Sequence, residues 1–236
     1  MFNEMIEMET SHWWYRARRE IISKVLDKFF QGRDNLDILD VGCGAGSNIN
    51  LLKKFGQVLG LEPEESMAEY CQKRGLEIVR CQIEDFQESQ KFDLITVFDV
   101  LEHIKDDRQT IQKFARLLNK DGYILITVPA KKLLWTRHDQ SCHHYRRYEA
   151  RDIENLVQNE FKLVYLSYYN FFLFPVIFIG LKLKHFFKSD HLPAKLPNKF
   201  INRLLYRIFS SEKKIIGQRK KFPFGVSLIV LAQKNG

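Results

Sequence analysis

Side chains able to do chemistry gather at five places along the chain. At the first, Asp40, Gly42, Gly44 and Gly46 alternate in DVGCGAG, directly after the apolar run Leu36, Ile38, Leu39 and Val41. Alternate glycines let the backbone turn sharply and let a ligand approach closely, because no Cβ stands in the way. At the second, Glu62 lies twenty positions beyond Gly42, at the end of the run Gln57 to Leu61. A carboxylate there suits the two hydroxyls of a ribose. At the third, Ile83 and Glu84 stand in a loop where a carboxylate or amide can meet an adenine ring. At the fourth, Asp99, Glu102 and His103 have D-x-x-E-H spacing, which puts oxygen and nitrogen donors on one side of a turn. The fifth is KKLLWTRHDQSCHHYRRY, with His138, Asp139, His143 and His144 beside Arg146 and Arg147.

The elements around these residues predict a doubly wound α/β domain. Five apolar runs between Leu36 and Val128 alternate with helix-compatible stretches, which implies a parallel sheet with right-handed crossovers. Ligands of such sheets bind at the carboxyl ends of the strands, where the glycine turn and Glu62 both fall. Ile49 to Lys54 reads as the helix behind the turn, and Leu117 to Gly122 as a helix end and tight turn. Met1 to Gln31 reads as helical with a cap at Thr10 or Ser11, and its apolar stripe runs from Ile21 to Phe30. The adjacent Trp13, Trp14 and Tyr15, with Arg16, Arg18 and Arg19, suit a lid as well as a packing helix. Four segments are expected: a helical lid at 1–34, a core at 35–168, an apolar and basic cap at 169–222, and a last strand at 223–236.

Charge separates the cap from the core. The chain of 236 residues carries a net charge of +8, yet twelve lysines and arginines lie between Lys182 and Lys221 against Asp190 and Glu212 alone. Phe171 to Leu181 has no charge and is too short to span a bilayer, which needs about 20 apolar residues. An apolar run beside a basic one suits an anionic membrane surface or a buried cap over the pocket. Asn202 to Ile216 reads as amphipathic. Cys43, Cys71, Cys81 and Cys142 have no disulfide or zinc spacing, and the acidic N-terminus has no signal pattern, so a cytoplasmic protein is expected, peripheral on the membrane in the first of those two readings.

Asp40, Gly42, Gly44 and Gly46 resemble motif I of the class I S-adenosylmethionine (SAM)-dependent methyltransferases. The stretches ILDVGCGAG, LEP, FDLITVFDVLEHI and LLNKDGYILITVPA extend that resemblance from Asp37 to Ala130, in order. HWWYRARRE, Tyr145 to Tyr148 and PFGVSLIVLAQK resemble one subgroup of the family. The resemblance implies a Rossmann-like, mostly parallel seven-stranded sheet with an antiparallel last strand, and a helical insertion before it. It also implies SAM as cofactor and S-adenosylhomocysteine as product. Asp40, Gly42, Cys43, Gly44, Glu62, Ile83, Glu84, Phe98 and Asp99 are then the expected cofactor contacts. Gln82 departs from the family's usual acidic residue.

Methyl transfer to an oxygen needs a placed acceptor and a base for its proton. His138 is the expected base, oriented by Asp139, with His143 beside them. Trp14, Tyr15, Arg19, Trp135, Arg146 and Arg147 are the expected substrate contacts, the arginines for an acidic group. The expected acceptor is a hydroxyl or carboxyl of an acidic or lipid-linked small molecule, such as a glycan or isoprenoid intermediate. No resident metal is expected; the alternative set is Asp99, Glu102 and His103, which resembles the E-x-x-E-H motif of metal-dependent methyltransferases. An RNA methyltransferase, a non-catalytic SAM-binding module and a nicotinamide oxidoreductase stay open, although Ser47 in place of a third fingerprint glycine argues against the last. Nucleic acid is not an expected partner, and the oligomeric state is open.

Overall fold

Leucine, isoleucine and valine runs broken by glycine and charge build one seven-stranded sheet in the computed structural model. The structure describes residues 2–87, 90–187 and 196–236; Glu88 of the charged turn and Lys188, Asp190 and Lys195 of the basic run lie outside the described residues, as do the side chains of residues 182–187. The strands are β1 (Leu36–Val41), β2 (Gly56–Leu61), β3 (Ile78–Val79), β4 (Phe92–Phe98), β5 (Leu118–Pro129), β6 (Phe161–Tyr169) and β7 (Ser227–Lys234). Their order is β3-β2-β1-β4-β5-β7-β6. β7 is antiparallel to both β5 and β6, while the other neighbouring pairs are parallel. The expected Rossmann-like sheet with an antiparallel last strand is therefore present.

Burial on both faces explains the near-continuous apolar runs. Consecutive residues Leu228 to Ala232 of β7 are all fully buried, as central strands covered by helices on each side must be. The register pairs Asp40 with Gly60 on one side and Thr96 on the other. That alignment brings the carboxyl ends of β1, β2 and β4 to one edge.

The N-terminal stretch is two helices rather than one, α1 (Phe2–Ser11) and α2 (Trp13–Phe29). His12, not Thr10 or Ser11, is the cap: its backbone is extended and its Nδ1 accepts from Trp14 N at 3.3 Å. Ile21, Ile22, Val25 and Leu26 of α2 are fully buried, each stabilising the fold by about 1.5–3 kcal/mol at most. Phe29 and Phe30 extend this contact to Tyr165 of β6 and Tyr123 of β5. α2 is thus part of the main core.

Three further boundaries differ from the sequence expectation. The helix behind the glycine turn, α3, is a single turn, Ile49–Leu52. β5 starts at Leu118 and absorbs the expected turn as a bulge: Phe92 pairs with Leu118 but Leu94 with Tyr123, and Asp121 takes a left-handed φ of 62°. The amphipathic stretch before β7 splits in two. Between the core helices α4 (Glu65–Lys73), α5 (Asp107–Leu117), α6 (Arg137–Ser141) and α7 (Ala150–Val157) and the last strand lie α8 (Phe174–Phe187), α9 (Lys199–Ser210) and α10 (Lys213–Ile216). Glu212 causes the split. It is fully buried and accepts the amides of Asn170 at 2.7 Å and Phe172 at 2.9 Å, so the chain bends to bring it to the end of β6.

α9 packs on α2. Asn202 grips the α1–α2 joint, accepting from Trp13 N at 2.8 Å and donating to Ser11 O at 2.9 Å. Tyr206 and Lys213 both reach Glu20, and Arg16 lies over the Tyr206 ring.

Candidate active site

β1 ends in a turn that only glycine can line. Gly42, Gly44 and Gly46 take left-handed φ values of 66°, 55° and 74°. A Cβ on Gly42 would come within 2.5 Å of Val100 Cγ2, and one on Gly44 within 2.7 Å of Glu9 Oε1. Glu62 closes the turn from β2: Oε2 accepts from Gly44 N at 2.8 Å and Oε1 from Glu64 N at 3.0 Å. Burial raises the Glu62 pKa despite these two amides.

Asp40 stands at the centre of this edge with one oxygen bonded to Thr96 Oγ1 at 2.7 Å. Its second oxygen is buried without a partner, and burial pushes its pKa up to about 7. A cradle that a Cβ would fill, beside a carboxylate oxygen awaiting a donor, fits the amino-acid and ribose groups of SAM. Cys43 offers the ligand only its backbone. Its thiol is buried against Cys71 and Gly60, and the Cys71 hydrogen bond and burial hold its pKa up. Ile83 and Phe98 are buried in the core, while Glu84 is exposed and its carbonyl accepts from Lys113 Nζ at 2.7 Å.

Two residues from the N-terminal helices enter this edge: Glu9, which the sequence did not single out, and Arg18, one of the three arginines named with the lid aromatics. Glu9 of α1 accepts from Ala45 N at 3.3 Å and occupies the space left by Gly44. Arg18 of α2 is buried, pairs with Asp99, and lies over the rings of Trp14 and Tyr15 at 4.7 and 5.5 Å. Its Nε has no partner. Arg19, the expected substrate contact, instead donates to Glu9 O at 2.7 Å and fastens α1 to α2. The helical spacing would have distinguished them: Arg18 stands one and four residues from Ala17 and Ile22, on the buried stripe.

The histidine segment is assembled differently from its sequence expectation. His138 and Asp139 are consecutive on α6, so their side chains diverge by about 100°. His138 is exposed, with Cys142 Sγ 3.6 Å from Nε2, whereas Asp139 is fully buried. Asp139 therefore orients His144, with Nδ1 at 3.1 Å, and not His138. It also accepts from Arg147 Nε at 2.7 Å, Arg147 Nη2 at 3.1 Å, Thr136 N at 2.8 Å and Thr136 Oγ1 at 2.9 Å. Burial alone would raise the Asp139 pKa, but the His144 and Arg147 bonds outweigh it and hold the carboxyl well below its usual range. His143 is exposed and Trp135 is 37% exposed.

Neither Arg146 nor Arg147 presents a free fork to a ligand. Arg146 donates to Asp107 Oδ2 and to Lys105 O, each at 2.7 Å. Arg147 is spent on Asp139 and on Ala130 O at 3.1 Å. Arg146 ties the segment after β5 to the start of α5, and Arg147 ties it to the end of β5.

The donors of the D-x-x-E-H stretch also separate. Asp99, at a left-handed φ of 57°, turns to Arg18. Glu102 and His103 continue into a short 3-10 turn, where Tyr145 N donates to Glu102 O at 2.7 Å and so draws His144 in. The His103 and His144 rings meet edge to face at 4.6 Å. One ligand atom each from Glu102, His103 and His144 lie within 4.8 Å of one another. Glu102 Oε2 is buried without a partner, and burial beside Asp99 raises its pKa well above the usual range. Burial beside His144 lowers the pKa of His103.

Comparison with known proteins agrees with this geometry. The model of a family described as "Methyltransferase domain" matches residues 13–164. A ubiquinone biosynthesis O-methyltransferase of Actinobacillus pleuropneumoniae serotype 5b (strain L20) is 36% identical over 103 residues, 38% of this chain and 44% of that protein. The chain spans about half the length of the curated relatives it matches. Among solved structures, a SAM-dependent methyltransferase of Thermotoga maritima, described as a possible histamine N-methyltransferase, superposes with TM-score 0.61 at 16% identity, over 94% of this chain and 93% of that one. The N-methyltransferase NodS of Bradyrhizobium japonicum WM9, crystallised with S-adenosyl-L-homocysteine, gives 0.54 at 13% identity, over 93% and 87%. With its family model covering more than half of the sequence and its sheet of the expected order, the chain belongs to the methyltransferase-domain family.

Proposed function

We propose that this enzyme methylates an oxygen, a hydroxyl or carboxyl, of an acidic or lipid-linked small molecule at an anionic membrane face. The observation that carries the reading is the Asp139–His144 pair. With Nδ1–H given to Asp139, His144 keeps Nε2 as an acceptor, which is the arrangement a general base needs. Bound at the glycine turn, SAM supplies an electrophilic methyl group. Asp40 and Glu62 hold the cofactor's polar groups, and His144 takes the acceptor's proton while Asp139 and Arg147 keep the imidazole in place. Arg18, rather than Arg19, Arg146 or Arg147, is the arginine at the site, with one unpartnered N–H for an acidic acceptor group. Its guanidinium lies against Trp14 and Tyr15, whose rings meet edge to face. Relatives named as ubiquinone biosynthesis O-methyltransferases support oxygen over nitrogen as the acceptor atom.

Calorimetry should show micromolar SAM binding that Glu62→Ala abolishes. Transfer of a labelled methyl group from SAM into the lipid-soluble fraction of a membrane extract should then fall by about 10²-fold or more in His144→Ala, with SAM affinity unchanged. SAM binding without label in any hydroxyl or carboxyl product would overturn the acceptor reading and favour a binding module.

One observation favours a second reading, in which a divalent cation activates the acceptor. Glu102, His103 and His144 offer one oxygen and two nitrogens within reach of one ion, and Glu102 Oε2 has no partner in the chain. Such a set suits zinc, manganese or iron. Chelation distinguishes the two: activity lost to a chelator and restored by one metal assigns the cation, whereas indifference leaves His144 as the base.

A further inference from the structure

The insertion between β6 and β7 turns large apolar side chains outward. On α8, Val176 is 66% and Ile179 57% exposed; on α9, Phe200 is 78% and Leu204 47% exposed. Single exposed apolar residues are ordinary, but a concentration of them marks an interaction surface. On α9 the two faces separate cleanly. Asn202, Leu205, Tyr206 and Phe209 point to α2 and the core, while Phe200, Arg203, Leu204 and Arg207 follow the spacing of the opposite face.

The charge on the outward face has one sign. Lys199, Arg203 and Arg207 are exposed and form no ion pair among the described residues. From Phe171 to Ser211 the sequence has a single acidic residue, Asp190, which lies outside the described residues. An occupant must therefore be anionic and must also bury phenylalanine, leucine, valine and isoleucine. A free polyanion such as RNA supplies phosphates but no apolar layer. A bilayer supplies both, headgroup phosphates over acyl chains. Among the described residues no helix is long and apolar enough to cross that bilayer, so the contact lies along its surface.

We propose that the outward faces of α8 and α9 dock on an anionic lipid surface, with Val176, Ile179, Phe200 and Leu204 entering the acyl boundary and Lys199, Arg203 and Arg207 meeting headgroup phosphates. This deepens the membrane-face part of the proposed function and rests on it for the source of the acceptor; the docking itself is read from the surface. Because α9 also grips the joint between α1 and α2, the docked helix is the one that holds the lid over the site.

The test is co-sedimentation of the full chain with phosphatidylcholine vesicles, with and without phosphatidylglycerol, with neither SAM nor acceptor present. Binding to the anionic vesicles should exceed binding to the neutral ones about tenfold and weaken with salt. The double variants Phe200→Ser/Leu204→Ser and Arg203→Glu/Arg207→Glu should each lose about tenfold in binding while keeping SAM affinity, which reports that they fold. Wild-type protein left in the supernatant, or a serine variant that binds like wild type, overturns the proposal. So does tighter binding to RNA than to vesicles, or self-association in solution that the serine variant abolishes. Vesicle binding without methylation of a lipid-soluble acceptor would leave the docking in place and remove the acceptor reading; methylation without vesicle binding would do the reverse.

Discussion

Asp139 gathers His144, Arg147 and the cap of α6 around one buried carboxylate, so removing its charge strands an arginine in the interior. Breaking one partner of a buried pair costs about 3–5 kcal/mol, and Asp139→Asn is expected to lose stability of that order, read from urea unfolding at pH 7. The sign of its pH dependence follows from a depressed pKa in the folded state. The stabilisation is present above the ordinary carboxylate range near 4 and is lost as pH falls below it. The Asn variant should therefore lose less stability than wild type on acidification below pH 4. Gly44 makes a different test. Its φ of 55° costs about 1–2 kcal/mol for a residue with a Cβ, and that Cβ would meet Glu9. Gly44→Ala should abolish calorimetric SAM binding and lower stability by about 1–2 kcal/mol.

At the level of elements, the joint between α1 and α2 controls what covers the glycine turn. His12 breaks the helix, Arg19 fastens Glu9's backbone, and Asn202 of α9 bonds both sides of the break. Losing a side-chain cap costs about 0.5–2 kcal/mol. Asn202→Ala is expected to cost that much and, more diagnostically, to speed amide hydrogen exchange in α1 while β7 stays protected. Unchanged exchange in α1 would show that Arg19 alone holds the joint. The same architecture explains why α2 is not a detached lid: its apolar stripe is core, and its first two turns carry Trp14, Tyr15 and Arg18 to the site.

Across the whole molecule, Asp40 and Glu212 join Glu62 and Glu102 as buried carboxyls that set the pH response near neutrality. Asp40 and Glu212 both have folded pKa values raised by burial to about 7. Each binds its proton more tightly in the folded than in the unfolded chain, so stability falls as pH rises from the ordinary carboxylate range toward 7. Urea midpoints measured from pH 5 to 8 should decline and then level off. Glu212→Gln should flatten part of that decline while lowering stability throughout, because its amide N–H₂ faces the Asn170 or Phe172 amide. SAM at one hundred times its dissociation constant should add about 2.7 kcal/mol of stability, visible as a thermal shift that Glu62→Ala lacks.

The sequence by itself determined the sheet, because a strand buried on both faces must be apolar throughout and the chain has such runs in α/β alternation. It also marked the cofactor corner, since a backbone turned left-handed three times within five residues, Gly42 to Gly46, requires glycine and shows as a pattern of letters. The one-turn α3, the bulge at Leu118 to Tyr123 and the bend at Glu212 were not legible. Each depends on a partner strand or amide far along the chain. The assignments within the histidine segment depended most on tertiary structure. His138 and Asp139 adjoin in sequence but diverge on a helix, while His144 is drawn to Asp139 and His103 by a backbone bond from Tyr145 to Glu102. Likewise, helical spacing sets Arg18 on the buried stripe of α2, but only the fold decided that its partner there is Asp99. Local spacing specifies backbone geometry; which charged side chain meets which is decided by the fold, since that pairing is made between elements and not along them.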